Sequence, residues 1–135
     1  MILRSVMLID DNEDDNFFHK IVLTEEGITD NVIVAESGFE ALQYLSSGKE
    51  IPELIFLDIN MPKMNGWEFL EEYETLEIPD KTSVVIIMLT TSLNPADKEK
   101  AAKIKTVHGF ETKPLSKQIL NTVIEKFFPE RKNTN

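Results

Sequence analysis

The sequence contains no cysteine, so a disulfide framework, a thiolate zinc site, a catalytic cysteine and a thiol switch are all excluded. With only two histidines, His19 and His108, a histidine-rich metal site is excluded as well. A membrane span needs roughly 18 consecutive apolar residues, and no run approaches that. The first ten residues lack the basic region and cleavage site of a leader and read as a strand opening, so a cytoplasmic protein is expected. Basic residues are scarce over the first part of the chain. Residues 1 to 80 hold 4 basic and 19 acidic side chains, net −15, whereas residues 81 to 135 hold 10 and 5, net +5. The overall charge of −10 disfavours nucleic acid and anionic membranes as partners.

What is present is the composition of a globular domain. Its 135 residues, 41% hydrophobic and 28% charged, suffice for one domain with a core that needs no staples. The expectation is a single domain over 1–135 with a frayed tail at 130–135 and no effector domain. Four short apolar runs, Val6 to Ile9, Val32 to Ala35, Leu54 to Leu57 and Val84 to Leu89, are nearly continuous and rich in β-branched residues, as buried parallel strands are. A shorter strand is expected near His108 to Thr112.

Helix-length segments lie between these runs. Ser37 and Glu40 form a candidate capping box, Asn94 precedes a proline at the first helical position, and Ser116 caps a last helix carrying Ile119, Leu120, Val123, Ile124 and Phe127. Phe17 and Ile21, with Phe18 and Val22, are assigned to the inner face of the first helix, and Trp67, Leu70 and Tyr73 to that of the third. Five alternations of strand and helix predict an α/β fold, a parallel sheet covered by helices on both faces.

Polar residues gather where the apolar runs end: Asp10 and Asp11 after the first, Asp58 after the third, Thr90 and Thr91 after the fourth, Lys113 after the fifth. Open α/β sheets bind ligands at the carboxyl ends of their strands, so these side chains are expected on one rim. Taken singly, each has an ordinary explanation as a cap, a turn residue or a solvated lysine. Two carboxylates about 4 Å apart repel by roughly 4 kcal/mol at an effective dielectric near 20, so a three-aspartate cluster calls for a cation. Oxygen ligands alone suit a hard ion, and open positions for water and a phosphoryl oxygen favour Mg²⁺ over Ca²⁺. The acidic stretch Asp10 to Asp15 lacks the central glycine and closing glutamate of an EF-hand. A carboxylate beside such an ion can attack phosphorus while a lysine neutralises the transferring oxygens, which makes Asp58 the candidate nucleophile, Lys113 the phosphate partner and Thr90 a hydroxyl donor.

Four motifs then occur in order: Leu8-Ile9-Asp10-Asp11-Asn12; Leu57-Asp58-Ile59-Asn60-Met61-Pro62 with Asn65-Gly66; Met88-Leu89-Thr90-Thr91-Ser92; and Gly109-Phe110 with Lys113-Pro114-Leu115. Together they resemble the receiver domain of two-component response regulators, of the stand-alone chemotaxis or phytochrome-associated kind. The resemblance implies a flavodoxin-like sheet of order 2-1-3-4-5 with five helices. It implies Asp58 as phosphoacceptor, and Mg²⁺ held by Asp11, Asp58 and the Asn60 carbonyl, with Asp10 acting through water. It further implies Thr90 and Phe110 as switch residues, Lys113 as phosphate partner in a cis peptide with Pro114, and Asn60 and Ser92 as residues tuning dephosphorylation. The Phe110 position is often tyrosine in the family, and Asn65 stands where aspartate is common.

The function so implied is acceptance of a phosphoryl group from a histidine kinase or histidine phosphotransfer protein, without turnover as an enzyme. Signalling to a downstream protein would leave through the helix 4, strand 5, helix 5 face. Lys98, Lys100, Lys103 and Lys105 there read either as a solvated face or as a surface for an acidic partner. A relay intermediate or phosphate sink, and a pseudo-receiver binding module, remain alternatives, and oligomeric state is not readable. An aspartate-based phosphatase would need Asp-x-Asp at the first strand, and a flavodoxin-like cofactor binder would need a phosphate loop where this chain is acidic. His19 and His108 are expected at the surface or on flanks, not as phosphocarriers.

Overall fold

The computed structural model describes residues 1–132. Five strands, β1 (Val6–Ile9), β2 (Val32–Ala35), β3 (Leu54–Leu57), β4 (Val85–Thr90) and β5 (Val107–Thr112), form one parallel sheet of order β2-β1-β3-β4-β5. Helices α1 (Glu13–Glu25), α2 (Gly38–Leu45), α3 (Gly66–Thr75), α4 (Pro95–Ala102) and α5 (Lys117–Phe127) alternate with the strands, followed by a short α6 (Pro129–Lys132). This strand order, with helices on both faces, is that of a flavodoxin-like α/β fold.

Strand side chains alternate between faces, and here both faces are covered. Met7, Ile9, Ile55, Leu57, Ile86 and Met88 pack with Ala41 and Leu45 of α2, Phe69, Leu70 and Tyr73 of α3, and Ala101 of α4. Val6, Leu8, Leu54, Phe56, Val85, Ile87 and Leu89 pack with Leu23 of α1 and Leu120, Val123 and Ile124 of α5. Burial on both sides is why β1, β3 and β4 read as unbroken apolar runs.

The helix starts follow the chemistry of orphan N–H groups. Asn12, Ser37, Asn65, Asn94 and Ser116 each accept a backbone N–H at the start of a helix, and Pro95 stands at the first position of α4. The capping box expected at Ser37 is incomplete, because the Glu40 carboxylate accepts the N–H of Glu36 rather than that of Ser37. A full box is instead made by Asn65 and Glu68 at the start of α3.

Three expectations need correction. The inner face of α1 is Asn16, His19 and Leu23, while Phe17 and Phe18 are 69% and 46% exposed. The apolar stripe misled because the first turns of α1 adjoin a polar rim, where Asn16 donates its Nδ2 to the Asp10 carbonyl at 2.8 Å. His19 is accordingly buried, not at the surface. The stretch from residue 130 is not frayed throughout: α6 reaches Lys132, and Arg131 clasps the buried Glu53 through two contacts of 2.6 and 3.1 Å. Residues 133–135 lie outside the described part of the chain.

Among the described residues no helix is long and apolar enough to cross a membrane.

Candidate functional site

The order of the strands decides where the site lies. From β1 the chain moves to one edge to form β2, then returns past β1 to build β3, β4 and β5 on the other side. The crevice at the carboxyl ends of β1 and β3 is therefore the switch point of the sheet. Register brings the polar residues level there. Ile9 stands opposite both Ala35 and Leu57, the N–H of Asp10 donates to the Ala35 carbonyl, and that of Asp58 to the Ile9 carbonyl. On the adjoining pair the N–H of Lys113 donates to the Thr90 carbonyl at 2.9 Å.

One carboxylate oxygen each from Asp10, Asp11 and Asp58 lies within 4.8 Å of the others. Asp10 and Asp58 are buried and Asp11 is exposed, so the cluster has a closed floor and an open mouth. Oxygen donors at this spacing could hold a hard divalent cation. Asp10 Oδ1 accepts the N–H of Asn12, and Asp58 Oδ1 accepts the N–H of Ile59. Burial and the Asp10 charge raise the Asp58 pKa above the usual carboxylate value, although Lys113, Thr90 and the Ile59 N–H pull it back.

Lys113 precedes Pro114 across a cis peptide bond, and its side chain runs into the crevice with only 9% of its surface exposed. Its Nζ stands 2.6 Å from Asp10 Oδ2, 2.8 Å from Asp15 Oδ2 and 3.7 Å from Asp58 Oδ2. Burial alone would lower its pKa, but the Asp10 and Asp15 carboxylates hold it above the ordinary lysine value.

Thr90 is fully buried and its Oγ1 accepts the N–H of Ser92. Thr90 pairs with Thr112 and Met88 with Phe110, so Thr90 and Phe110 share one face of adjacent strands. Phe110 is half-buried and lines a groove of about 260 Å³ with Lys98, Ala101 and Ala102 of α4. Ser92 is turned elsewhere, donating its hydroxyl to Asp97 in the first turn of α4. Asn60 is exposed in the loop after Asp58. Of the four lysines, Lys100 lies 4.6 Å above the Trp67 ring, which makes that one a packing residue between α4 and α3 as well as a charge.

Three residues near the crevice escaped the sequence reading. Asp15 pairs with Lys113 across 98 positions of sequence, which no local motif announces. His19 is buried and lines a small cavity with Asp10, Asn16 and Asp58, its pKa lowered by burial and then by Lys113. Gly66 is needed for close approach: a Cβ there would stand 2.5 Å from the Asp58 carbonyl oxygen, while its N–H donates to the Ile59 carbonyl at 2.7 Å. The Asn-Gly pair is visible in the sequence, but it reads there as a turn rather than as support for Asp58.

His108 is half-buried in β5, and its Nδ1 accepts the N–H of Ile86 where the β4–β5 register shifts.

The model of the family described as "response regulator receiver domain" matches residues 6–125. The chain is similar to the sensor histidine kinase CheAY of Helicobacter pylori, with 31% identity over 121 residues, covering 90% of this chain and 14% of that protein. It is also similar to the response regulator Rcp1 of Synechocystis, with 32% identity over 99 residues, covering 70% of this chain and 66% of that protein. The chain thus spans less than two thirds of these curated relatives. A two-component response regulator from Cytophaga hutchinsonii superposes with a TM-score of 0.85 at 31% identity, covering 94% of this chain and 98% of that one.

Proposed function

The chain belongs to the response regulator receiver family, and from that premise we propose that it accepts a phosphoryl group on Asp58 from a histidine kinase or histidine phosphotransfer protein. The observation that supports this most is the meeting of Asp58 with Asp10, Asp11 and Lys113 on one rim, at the switch point of the sheet. Receiver domains are phosphoacceptor signalling proteins rather than turnover enzymes. The cytoplasm, where such donors present their phosphohistidines, is the proposed location.

In the proposed step an Asp58 carboxylate oxygen attacks phosphorus, the P–O bond forms, and the P–N bond of the donor phosphohistidine breaks. The electron pair of that bond leaves with the imidazole. Asp58 becomes a mixed anhydride, which hydrolysis returns to carboxylate and phosphate. Asp10, Asp11, Asp58 and the Asn60 carbonyl would hold Mg²⁺, whose contribution when bound is to neutralise charge on the transferring oxygens. The three clustered carboxylates and the exposed Asp11 fit such an ion. Lys113 donates to the incoming phosphoryl oxygens, and the buried Thr90 hydroxyl, which accepts the Ser92 N–H and keeps its own proton to donate, supplies a second donor. Asn60 and Ser92 are assigned to tuning the lifetime of the anhydride, the latter after releasing Asp97.

A charge change on this rim signals only through an element with two arrangements. Thr90 and Phe110 are proposed as that element, with output through α4, β5 and α5 to a protein target. The groove beside Phe110 lies on this face, with Lys98 at its border.

Intact-mass spectrometry after incubation with acetyl phosphate tests the reading. One added phosphoryl group that requires Mg²⁺ and is absent from Asp58→Asn is the expected result. Equal labelling of the variant would remove Asp58 as acceptor. If the chain takes no label from acetyl phosphate or from histidine kinases presented with ATP, it is a binding module with a receiver's fold.

A further inference from the structure

The Lys113 ammonium has three N–H donors. Two are engaged by Asp10 and Asp15 at 2.6 and 2.8 Å, while Asp58 stands at 3.7 Å, beyond hydrogen-bond distance. The third donor is therefore the one available to Asp58 or to a group built upon it. The two anchoring carboxylates are not equivalent. Asp10 belongs to the cluster that could hold a cation, whereas Asp15 does not. An ion bound there would compete with Lys113 for Asp10, and of the two anchoring contacts the Asp15 one would lie outside that competition.

Asp15 is also well placed to hold its position. It sits in the first turn of α1, its own N–H donates to the Asn12 side chain at 3.0 Å, and its carboxylate is partly shielded at 36% exposure. We propose that Asp15 is a positioning residue: it keeps the Lys113 ammonium directed at Asp58 when the metal site is filled. The proposal rests on the receiver reading of Asp58 and of the acidic cluster.

The sign of the expected effect separates this role from a general field effect. Removing a negative charge beside an anion-binding rim should strengthen anion binding. Losing the lysine tether should weaken it. Asp15→Asn, Asp15→Glu and Asp14→Asn are compared for binding of beryllofluoride in saturating Mg²⁺, followed by ¹⁹F NMR. Asp14 is the neighbouring exposed aspartate, and among the described residues the ion pairs of Lys113 are with Asp10, Asp15 and Asp58 and not with it. Asp15→Asn is expected to bind the probe about threefold to tenfold more weakly, as for loss of one charge-assisted hydrogen bond. Asp14→Asn should bind equally or more tightly, Asp15→Glu should recover most of the loss, and Mg²⁺ affinity should fall alike in both asparagine variants. Unchanged or tighter probe binding by Asp15→Asn would overturn the proposal.

A second readout needs no phosphoryl mimic. The ¹⁵N-detected ammonium resonance of Lys113 in Mg²⁺-saturated protein should persist in the parent and disappear in Asp15→Asn. Its loss in the parent, or its survival in the variant, would overturn the tether. A parent that binds no beryllofluoride would refute the receiver reading instead, and the ammonium resonance would still judge Asp15.

Discussion

Asp58→Asn should make the metal-free protein more stable while removing its proposed function. At the 4.8 Å that bounds their separation, Asp10 and Asp58 repel by at least about 3.5 kcal/mol at an effective dielectric near 20, and Lys113 at 3.7 Å returns about 4.5 kcal/mol. These nearly cancel, which leaves the burial of a carboxylate as the deciding cost. A neutral amide of the same shape avoids about 1–2 kcal/mol of that cost, and its oxygen can still accept the Ile59 N–H. For 135 residues the unfolding entropy converts this into about 4–7 °C in Tm.

The pH dependence follows from the raised pKa of Asp58. The penalty is present above the folded value, eases as pH falls through it, and is gone below the ordinary aspartate value of 3.8. The advantage of the variant should therefore shrink toward acid. Saturating Mg²⁺ stabilises a binding-competent chain by about 2.7 kcal/mol at one hundred times Kd, and the variant, lacking one charged ligand, gains less. Differential scanning calorimetry in EDTA and in Mg²⁺ reads all of this. A variant no more stable than the parent in EDTA at neutral pH would refute the buried-carboxylate argument, and equal Mg²⁺ stabilisation of both would remove Asp58 as a metal ligand.

Gly66→Ala should cost about 1–3 kcal/mol by overpacking against the Asp58 carbonyl and should slow phosphoryl uptake; full labelling at the parent rate would contradict the close approach. Arg131→Ala should cost about 1–2 kcal/mol, a discounted value because Arg131 is 39% exposed while Glu53 is 9% exposed. Burial works to raise the Glu53 pKa, but Arg131 and Arg4 hold it below 4.5, so the clasp stabilises above that value and fails as pH drops through the folded one. Denaturation at pH 7 and pH 3.5 should show the variant's deficit narrowing. His19→Leu should flatten the loss of stability below pH 6.5, because a histidine whose pKa is lowered by burial takes up its proton on unfolding. Urea midpoints at pH 7.5 and 5.5 with the same difference in variant and parent would count against that.

Strands β1, β3 and β4 were legible because burial on both faces makes each a continuous apolar run, and the boundaries of β4 and β5 moved by only one residue. Caps at Ser37, Asn94 and Ser116 were legible because N-cap chemistry is local. The rim was legible too: where parallel strands end in register, the residues that follow them must gather. The order of the sheet was not, since crossovers of similar length permit other orders, and it came from the resemblance of four motifs to a known family. The inner face of α1 was misread because apolar periodicity assumes an apolar neighbour, and α1 leans its first turns on a charged one.

Composition, apolar runs and motif spacing by themselves determined the fold class, the absence of cysteine chemistry and the meeting of Asp10, Asp11, Asp58, Thr90 and Lys113 at one end of the sheet. Only the tertiary structure decided that Asp15 shares Lys113, that His19 is buried beside Asp10 and Asp58, that Gly66 abuts Asp58 and that Arg131 closes on Glu53. The physical reason is the same in each case. These are contacts between side chains or backbone segments whose partner is set by how helices dock on the sheet, and docking leaves no signature at either residue's position in the chain.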